Sequence, residues 1–274
     1  MSAHDLGFAP GQVLDGRVDL RLATTVVGGE VHYRETVGST NTVLRSMADA
    51  GAPEGTVVIA EEQTAGRGRS GRPWDSPPGV GLWFSVLLRP GRPASELTPL
   101  SMVTAVSVVE TLRRDFGVGA FVKWPNDILA GEAGLKLGGV LLESAQASGE
   151  PVEQLVVGTG LNVNQCEGEF PEELSGVATS VRMLLGKAVP RLEVLRSLLE
   201  GLERDWGLFE REGFRSFPGR WRALSFTLGR TIEVASYAGT VSGVVVDISP
   251  EGALVVEGTD GRAEVWHGDV KALV

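Results

Sequence analysis

The chain has a single cysteine in 274 residues, Cys166, and only three histidines, His4, His32 and His267. One cysteine excludes an internal disulfide and suits a reducing compartment. Histidines this scattered form no recognisable metal site and no triad signature. No stretch of about 18 uninterrupted apolar residues occurs, so no membrane span is expected. The start, Met1-Ser2-Ala3-His4-Asp5, lacks the basic and apolar regions of a secretory signal. A cytoplasmic protein is the expectation. A basic footprint is missing too: the formal net charge is −10, and the first thirty residues carry a balance of −2. Affinity for DNA rests on neutralising phosphates, so no DNA partner is expected.

The chain does have an ordinary globular composition, 42% hydrophobic and 22% charged, and length enough for one large domain and a small one. Residues 1–30 read as an N-terminal extension. Val31-His32-Tyr33-Arg34-Glu35-Thr36 reads as a strand, followed by a helix capped by Ser39 or Thr40 and ended near Gly51-Ala52-Pro53. Strands are expected over 56–62 and Gly81–Leu88, and a helical stripe runs from Glu96 to Phe116, where Gly117 stops it. Three more strands fall near 128–130, 136–143 and 154–158. Leu192, Leu195, Leu198, Leu199, Leu202, Trp206 and Phe209 define the clearest helix, with a core face. After Leu224 the texture changes to short β runs at 231–234, 241–248, 253–256 and 263–266, punctuated by glycine, which suggests a small barrel. The expected domains are therefore 31–224 and 225–274, after the extension.

Positive charge is concentrated in one place. Gly66-Arg67-Gly68-Arg69-Ser70-Gly71-Arg72 sets three arginines and three glycines in seven residues of an acidic chain. Glycines let a backbone approach an anion, and guanidinium forks match carboxylate or phosphate. The spacing also matches the dinucleotide fingerprint G-x-G-x-x-G, but that needs a following helix. Arg72-Pro73-Trp74-Asp75-Ser76-Pro77-Pro78-Gly79 cannot supply one. Four further segments place small or polar residues where a strand is expected to stop: Gly38-Ser39-Thr40-Asn41, Lys123-Trp124-Pro125-Asn126-Asp127, Lys136-Leu137-Gly138-Gly139 and Gly158-Thr159-Gly160-Leu161-Asn162.

In this order these segments resemble the biotin–protein ligase family: S-T-N, Q-x-A-G-R-G-R-x-G-R-x-W, K-W-P-N-D, K-L-x-G-[IV]-L-x-E and G-x-G-[LI]-N, over roughly residues 37–163. The resemblance implies an α/β (α+β) catalytic domain with a central mixed sheet and a small C-terminal SH3-like β-barrel. It implies an enzyme that joins biotin to ATP, with Mg²⁺, as biotinyl-5′-adenylate. The biotinyl group then goes to a lysine of a biotin carboxyl carrier domain of an acyl-CoA carboxylase. By motif match, Ser39, Thr40, Asn41, Gln63, Gly66, Gly68, Gly139 and Leu141 would bind biotin. Arg67, Arg69 and Lys136 would meet the carboxylate and phosphates and serve catalysis. Arg72, Trp74, Asn126 and Asn162 would meet the nucleotide, with Trp74 stacking on adenine, and Asp127 would approach the metal. The glycine–arginine loop would close over its ligands.

Family members that double as repressors carry a winged helix ahead of the Ser-Thr-Asn segment. Only 38 residues precede Ser39 here, so the form without that module is expected. A lipoate or octanoyl ligase of the same fold, and a biotin-responsive DNA-binding regulator, stand as the alternatives.

Overall fold

The computed structural model describes Leu6 and residues 13–14, 16–144, 150–236, 239–259 and 261–272. His4 and Asp260 lie outside the described residues. Fourteen strands are described. They are β1 (Val13–Leu14), β2 (Arg17–Val18), β3 (Val31–Val37), β4 (Val57–Gln63), β5 (Gly81–Leu88), β6 (Ala120–Lys123), β7 (Asp127–Ala130), β8 (Leu135–Ser144), β9 (Leu155–Asn162), β10 (Thr231–Ser236), β11 (Gly239–Ile248), β12 (Leu254–Gly258), β13 (Gly261–Val265) and β14 (Asp269–Ala272). Six helices accompany them: α1 (Thr40–Asp49), α2 (Ala94–Leu97), α3 (Leu100–Phe116), α4 (Val181–Leu185), α5 (Arg191–Glu212) and α6 (Pro218–Leu224).

The first nine strands form one sheet in the order β1-β2-β3-β4-β5-β9-β8-β7-β6. It is mixed: β3 and β4 run parallel, joined through α1, and the other neighbours are antiparallel. The last five form a separate antiparallel sheet, β13-β12-β11-β10-β14.

β5 sits mid-sheet with all eight residues buried, which is why its sequence is a continuous apolar run. Alternation still sorts its faces. Leu82, Phe84, Val86 and Leu88 join the large core, which includes α3 and α5. Leu87 joins a smaller cluster with Leu44 and Ala48 of α1, Val58 and Val156. The face of the sheet that carries α1 also carries the polar pocket described below.

Several expectations need correction. The segment before residue 30 is not merely an extension, for β1 and β2 continue the sheet and Leu20 and Val27 are buried. Glu203 of α5 holds it down, accepting from the amides of Thr25 (2.9 Å) and Val27 (2.7 Å). Ser39 occupies the N-cap position of α1, but its side chain makes no capping hydrogen bond. The stripe from Glu96 to Phe116 is two helices, separated at Thr98-Pro99, because a proline cannot continue the hydrogen-bond ladder. Gly117 does end α3, in the left-handed conformation at φ 67°. β9 runs on through Gly158-Thr159-Gly160-Leu161 to its last residue, Asn162, and Lys136-Leu137-Gly138-Gly139 lies within β8 rather than at a strand end. The C-terminal sheet has a fifth strand, β14, that the β runs did not announce.

Candidate active site

The stretch from Gln63 to Ser76 folds as a hairpin. Trp74 N donates to Gly66 O at 2.9 Å and Gly68 N to Arg72 O at 2.8 Å. At its base, the amides of Thr64 and Ala65 pair with the carbonyls of Val37 and Gly38, each at 2.9 Å. The arginine-bearing turn is thereby fixed beside the start of α1. Ser70 takes a left-handed φ of 56° at the tip, a conformation uncommon for a residue with a side chain.

Between this hairpin, the N-terminus of α1, strands β8 and β9 and the start of β14 lies a cavity of about 320 Å³. Every site residue expected from the sequence lines it except Gly66: Ser39, Thr40, Asn41, Gln63, Arg67, Gly68, Arg69, Arg72, Trp74, Asn126, Asp127, Lys136, Gly139, Leu141 and Asn162. Gly66 serves the hairpin instead. A Cβ there would meet Trp74 O at 2.5 Å and Ser76 Oγ at 2.8 Å, so only glycine allows the two arms to close.

The cations are spread along the cavity. Lys136 Nζ, at the start of β8, donates to Asp127 Oδ1 at 2.7 Å and lies 5.4 Å from the Trp74 ring centre. Arg69 donates to Asn126 Oδ1 at 3.2 Å and reaches Gly268 O at 3.4 Å. Arg67 donates to Thr42 Oγ1 at 3.1 Å, with Glu143 Oε1 3.5 Å away. Arg72 pairs with Asp269 across to the C-terminal sheet. Each guanidinium or ammonium is held by neutral oxygens or a carboxylate, so its charge is oriented as well as present.

Neutral hydrogen-bonding groups share the lining. Thr40 N donates to Gln63 Oε1 at 2.9 Å, and Gln63 Nε2 to Ser76 Oγ at 2.9 Å. Trp74 forms the floor: its ring lies against Gly160 and 3.7 Å from a Cβ built on Gly139, edge-on to Trp83. Its indole nitrogen is buried without a partner among the described residues. Asn126 is buried and donates to Val140 O at 2.8 Å. Asn162 is committed inward as well, donating to Thr179 O at 3.0 Å and accepting from Gln165.

Residues the sequence reading gave no role also line the cavity: Lys123 at the end of β6, and Gly268, Asp269 and Val270 from the C-terminal sheet. Lys123 sits inside the Lys-Trp-Pro-Asn-Asp motif, so a signal existed. Burial holds its ammonium below the ordinary lysine range, against the pull of nearby Asp127 and with help from Lys136. No sequence signal marked Gly268–Val270, which arrive only through the packing of the small sheet.

Among the described residues no group of three or more His, Cys, Asp or Glu could hold a metal ion. Asp127 is a carboxylate suited to assist a cation that brings other ligands of its own. The arrangement as a whole suits a ligand with a neutral hydrogen-bonding head, an anionic centre and a flat ring.

Comparison with known proteins agrees. Residues 33–162 match the Biotin/lipoate A/B protein ligase family, and residues 227–270 match the Biotin protein ligase C terminal domain. The biotin–[acetyl-CoA-carboxylase] ligase of Mycobacterium tuberculosis is 36% identical over 243 residues, 85% of each chain. The chain belongs to the biotin protein ligase family. The bifunctional ligase/repressor BirA of Bacillus spizizenii is 34% identical over 262 residues, 96% of this chain and 80% of that one. A biotin protein ligase from Aquifex aeolicus, solved in complex with biotin and ATP, superposes with a TM-score of 0.77 at 32% identity, covering 89% of this chain and 98% of that one. The motif order read from the sequence thus marks a biotin protein ligase in both sequence and fold. Among the described residues, no helix is long and apolar enough to cross a membrane.

Proposed function

We propose that this member of the family activates biotin with ATP as biotinyl-5′-adenylate and passes the biotinyl group to one lysine of a biotin carboxyl carrier domain of an acyl-CoA carboxylase. The observation that carries the reading is that Arg67, Arg69 and Lys136, from two separate parts of the chain, line one cavity together with the neutral Thr40 and Gln63.

In the first step a biotin carboxylate oxygen attacks the α-phosphorus of ATP, and pyrophosphate leaves. Two anions must approach, so fixed positive charge at the meeting point lowers the barrier. Lys136 and Arg69 supply it around the α-phosphate of the adenylyl group being transferred, and Arg67 faces the carboxylate. Thr40 and Gln63 take the ureido head, Ser39 and Asn41 complete that end, and Gly68, Gly139 and Leu141 complete the wall. Trp74 offers its face to adenine, and Arg72, Asn126 and Asn162 frame the nucleotide. In the second step the carrier lysine amine attacks the acyl carbon of the mixed anhydride. An amide forms, AMP leaves with the bonding pair, and the amine gives up its proton.

A Mg²⁺ ion would come in on the ATP phosphates, with Asp127 as the protein carboxylate in reach; bound, it neutralises phosphate charge. The catalytic unit in this reading is 31–224 and the C-terminal unit 225–274. Residues 268–270 make the second a wall of the site. The free thiol of Cys166 is compatible with work in a reducing cytoplasm.

The test is transfer of labelled biotin to a purified carrier domain in the presence of ATP and Mg²⁺. ATP-dependent label on one carrier lysine supports the reading. Transfer of lipoate or octanoate in place of biotin overturns it.

A further inference from the structure

A second cavity, of about 270 Å³, opens beside the first where the catalytic sheet meets the C-terminal one. Lys123, Asp127, Lys136, Val177 and Val270 line both, so the two join at the lysines. Thr40, Gln63 and Arg67 line only the first, and Phe226, Thr227 and Arg230 only the second. Backbone contacts hold the second cavity together. Phe226 N donates to Val122 O at 2.8 Å and Trp124 N to Thr227 Oγ1 at 3.3 Å, which lays the segment after α6 along β6. The Phe226 ring packs on Gly134, where a Cβ would meet it at 2.3 Å. Arg230 in turn sits over that ring, its guanidinium carbon 3.9 Å from the centre, a cation–π contact that holds it near the cavity Lys123 also lines.

The charge there is unbalanced. Lys123, Lys136 and Arg230 share the second cavity with one carboxylate, Asp127, which already accepts from Lys136 at 2.7 Å. Among the described residues, the side chains of Lys123 and Arg230 donate no hydrogen bond and form no ion pair. Burial holds the Lys123 ammonium below the ordinary lysine range, and apolar walls such as Leu129 and Ile232 leave these charges weakly screened. Half-buried cations without partners call for an anion. The same charge repels an incoming lysine, so this is not the way in for the carrier amine.

Adenylation supplies such an anion. As the biotin oxygen bonds to the α-phosphorus, the bond from that phosphorus to the oxygen bridging to the β-phosphorus breaks, and its electron pair leaves with pyrophosphate. In the first cavity Lys136, Arg69 and Arg67 serve the α-phosphate and the carboxylate, and Arg72 pairs with Asp269. The β- and γ-phosphates need other cations. We propose that the second cavity is the pyrophosphate site, where Lys123 and Arg230 hold the β- and γ-phosphates of ATP and the pyrophosphate they become. This rests on the adenylation reading above and adds the place of its leaving group.

Lys123→Met and Arg230→Gln test it in the biotin-dependent exchange of labelled pyrophosphate into ATP, with Mg²⁺ present. Each is expected to raise KM for pyrophosphate about tenfold, the weight of roughly one charge-assisted hydrogen bond, and KM for biotin by less than about twofold. Lys123→Arg keeps the charge and is expected to recover most of the pyrophosphate affinity. Transfer from preformed biotinyl-5′-adenylate to the carrier involves no pyrophosphate, so its loss should be at least about fivefold smaller than the loss in exchange. A merely structural role would depress both half-reactions alike. That result overturns the proposal, as does an unchanged pyrophosphate KM in either variant. Wild-type exchange separates the two readings. If the wild-type protein exchanges no pyrophosphate in the presence of biotin, the adenylation reading itself falls, whereas normal wild-type exchange with unaffected variants overturns only the pyrophosphate site.

Discussion

Trp74 lies so close to Gly160 that a Cβ built on that glycine would meet the indole Nε1 at 2.5 Å and Cε2 at 2.7 Å. The hairpin carrying Trp74 and the strand carrying Gly160 fit because β9 has no side chain there. Gly160→Ala is expected to lift the ring off the sheet and weaken ATP use. Base–aromatic stacking is worth about 1–3 kcal/mol, so KM for ATP should rise about tenfold, with biotin binding nearly unchanged. Steady-state kinetics in the two substrates, with tryptophan fluorescence, checks this.

Lys136→Ala is expected to lose about 10²–10³-fold in adenylate formation, the usual loss when one preorganised donor at a developing charge is removed. Its ion pair with Asp127 is partly exposed, at 39% and 21% of the two side chains, so stability should change by less than about 1 kcal/mol. Biotin-dependent exchange of labelled pyrophosphate into ATP reads the first effect and urea unfolding the second.

Stability is expected to reside elsewhere, in a pair with no catalytic part. Arg191 of α5 and Glu61 of β4 meet at 2.7 Å with both side chains almost fully buried. Glu61 also accepts from Gly79 N at 2.7 Å, and Arg191 donates to Gly81 O at 3.0 Å. Removing one partner strands the other charge, so Glu61→Gln should cost about 3–5 kcal/mol in urea unfolding.

Acid should loosen the N-terminal segment through Glu203. Partial burial raises its pKa, but hydrogen bonds from the Thr25 hydroxyl and the amides of Val27, Thr25 and Val26 outweigh that and hold the carboxyl below the ordinary 4.5. A depressed folded value means its stabilisation is complete above 4.5 and is lost as pH falls through the folded pKa. Glu203→Gln should be less stable than wild type at pH 7, with the gap closing toward pH 3. Parallel loss of stability in the two proteins on acidification would contradict this.

The parts legible in the sequence were those set by local chemistry. Gly81–Leu88 is bounded by turns and buried on both faces, so its apolar run reads directly as a strand. The face of α5 shows through the spacing of its leucines. Pro99 was lost inside a stripe that continues across it, since Leu97 and Leu100 both reach the core. β14 was lost because it offers only two apolar residues, Val270 and Ala272, with Lys271 between them. In the site, the glycine–arginine hairpin and Lys136 could be read from residue type and order. The glycines of β9 could be read as a motif but not explained, because Gly158 and Gly160 are shaped by Asn41 and Trp74 from distant parts of the chain. Glu143 was visible only as the last letter of a motif; its partners, Asn41, Arg45 and Arg67, come from α1 and the hairpin.

The central claim is that guanidinium and ammonium groups from the hairpin and β8 converge on one reacting centre. A crystal structure of the protein with biotinyl-5′-adenylate tests it most directly. The account predicts the phosphate within about 3 Å of Lys136 Nζ and an Arg69 nitrogen, with the ureido ring against Thr40. An adenylate bound with Lys136, Arg67 and Arg69 all turned away from its phosphate and acyl carbon would contradict it.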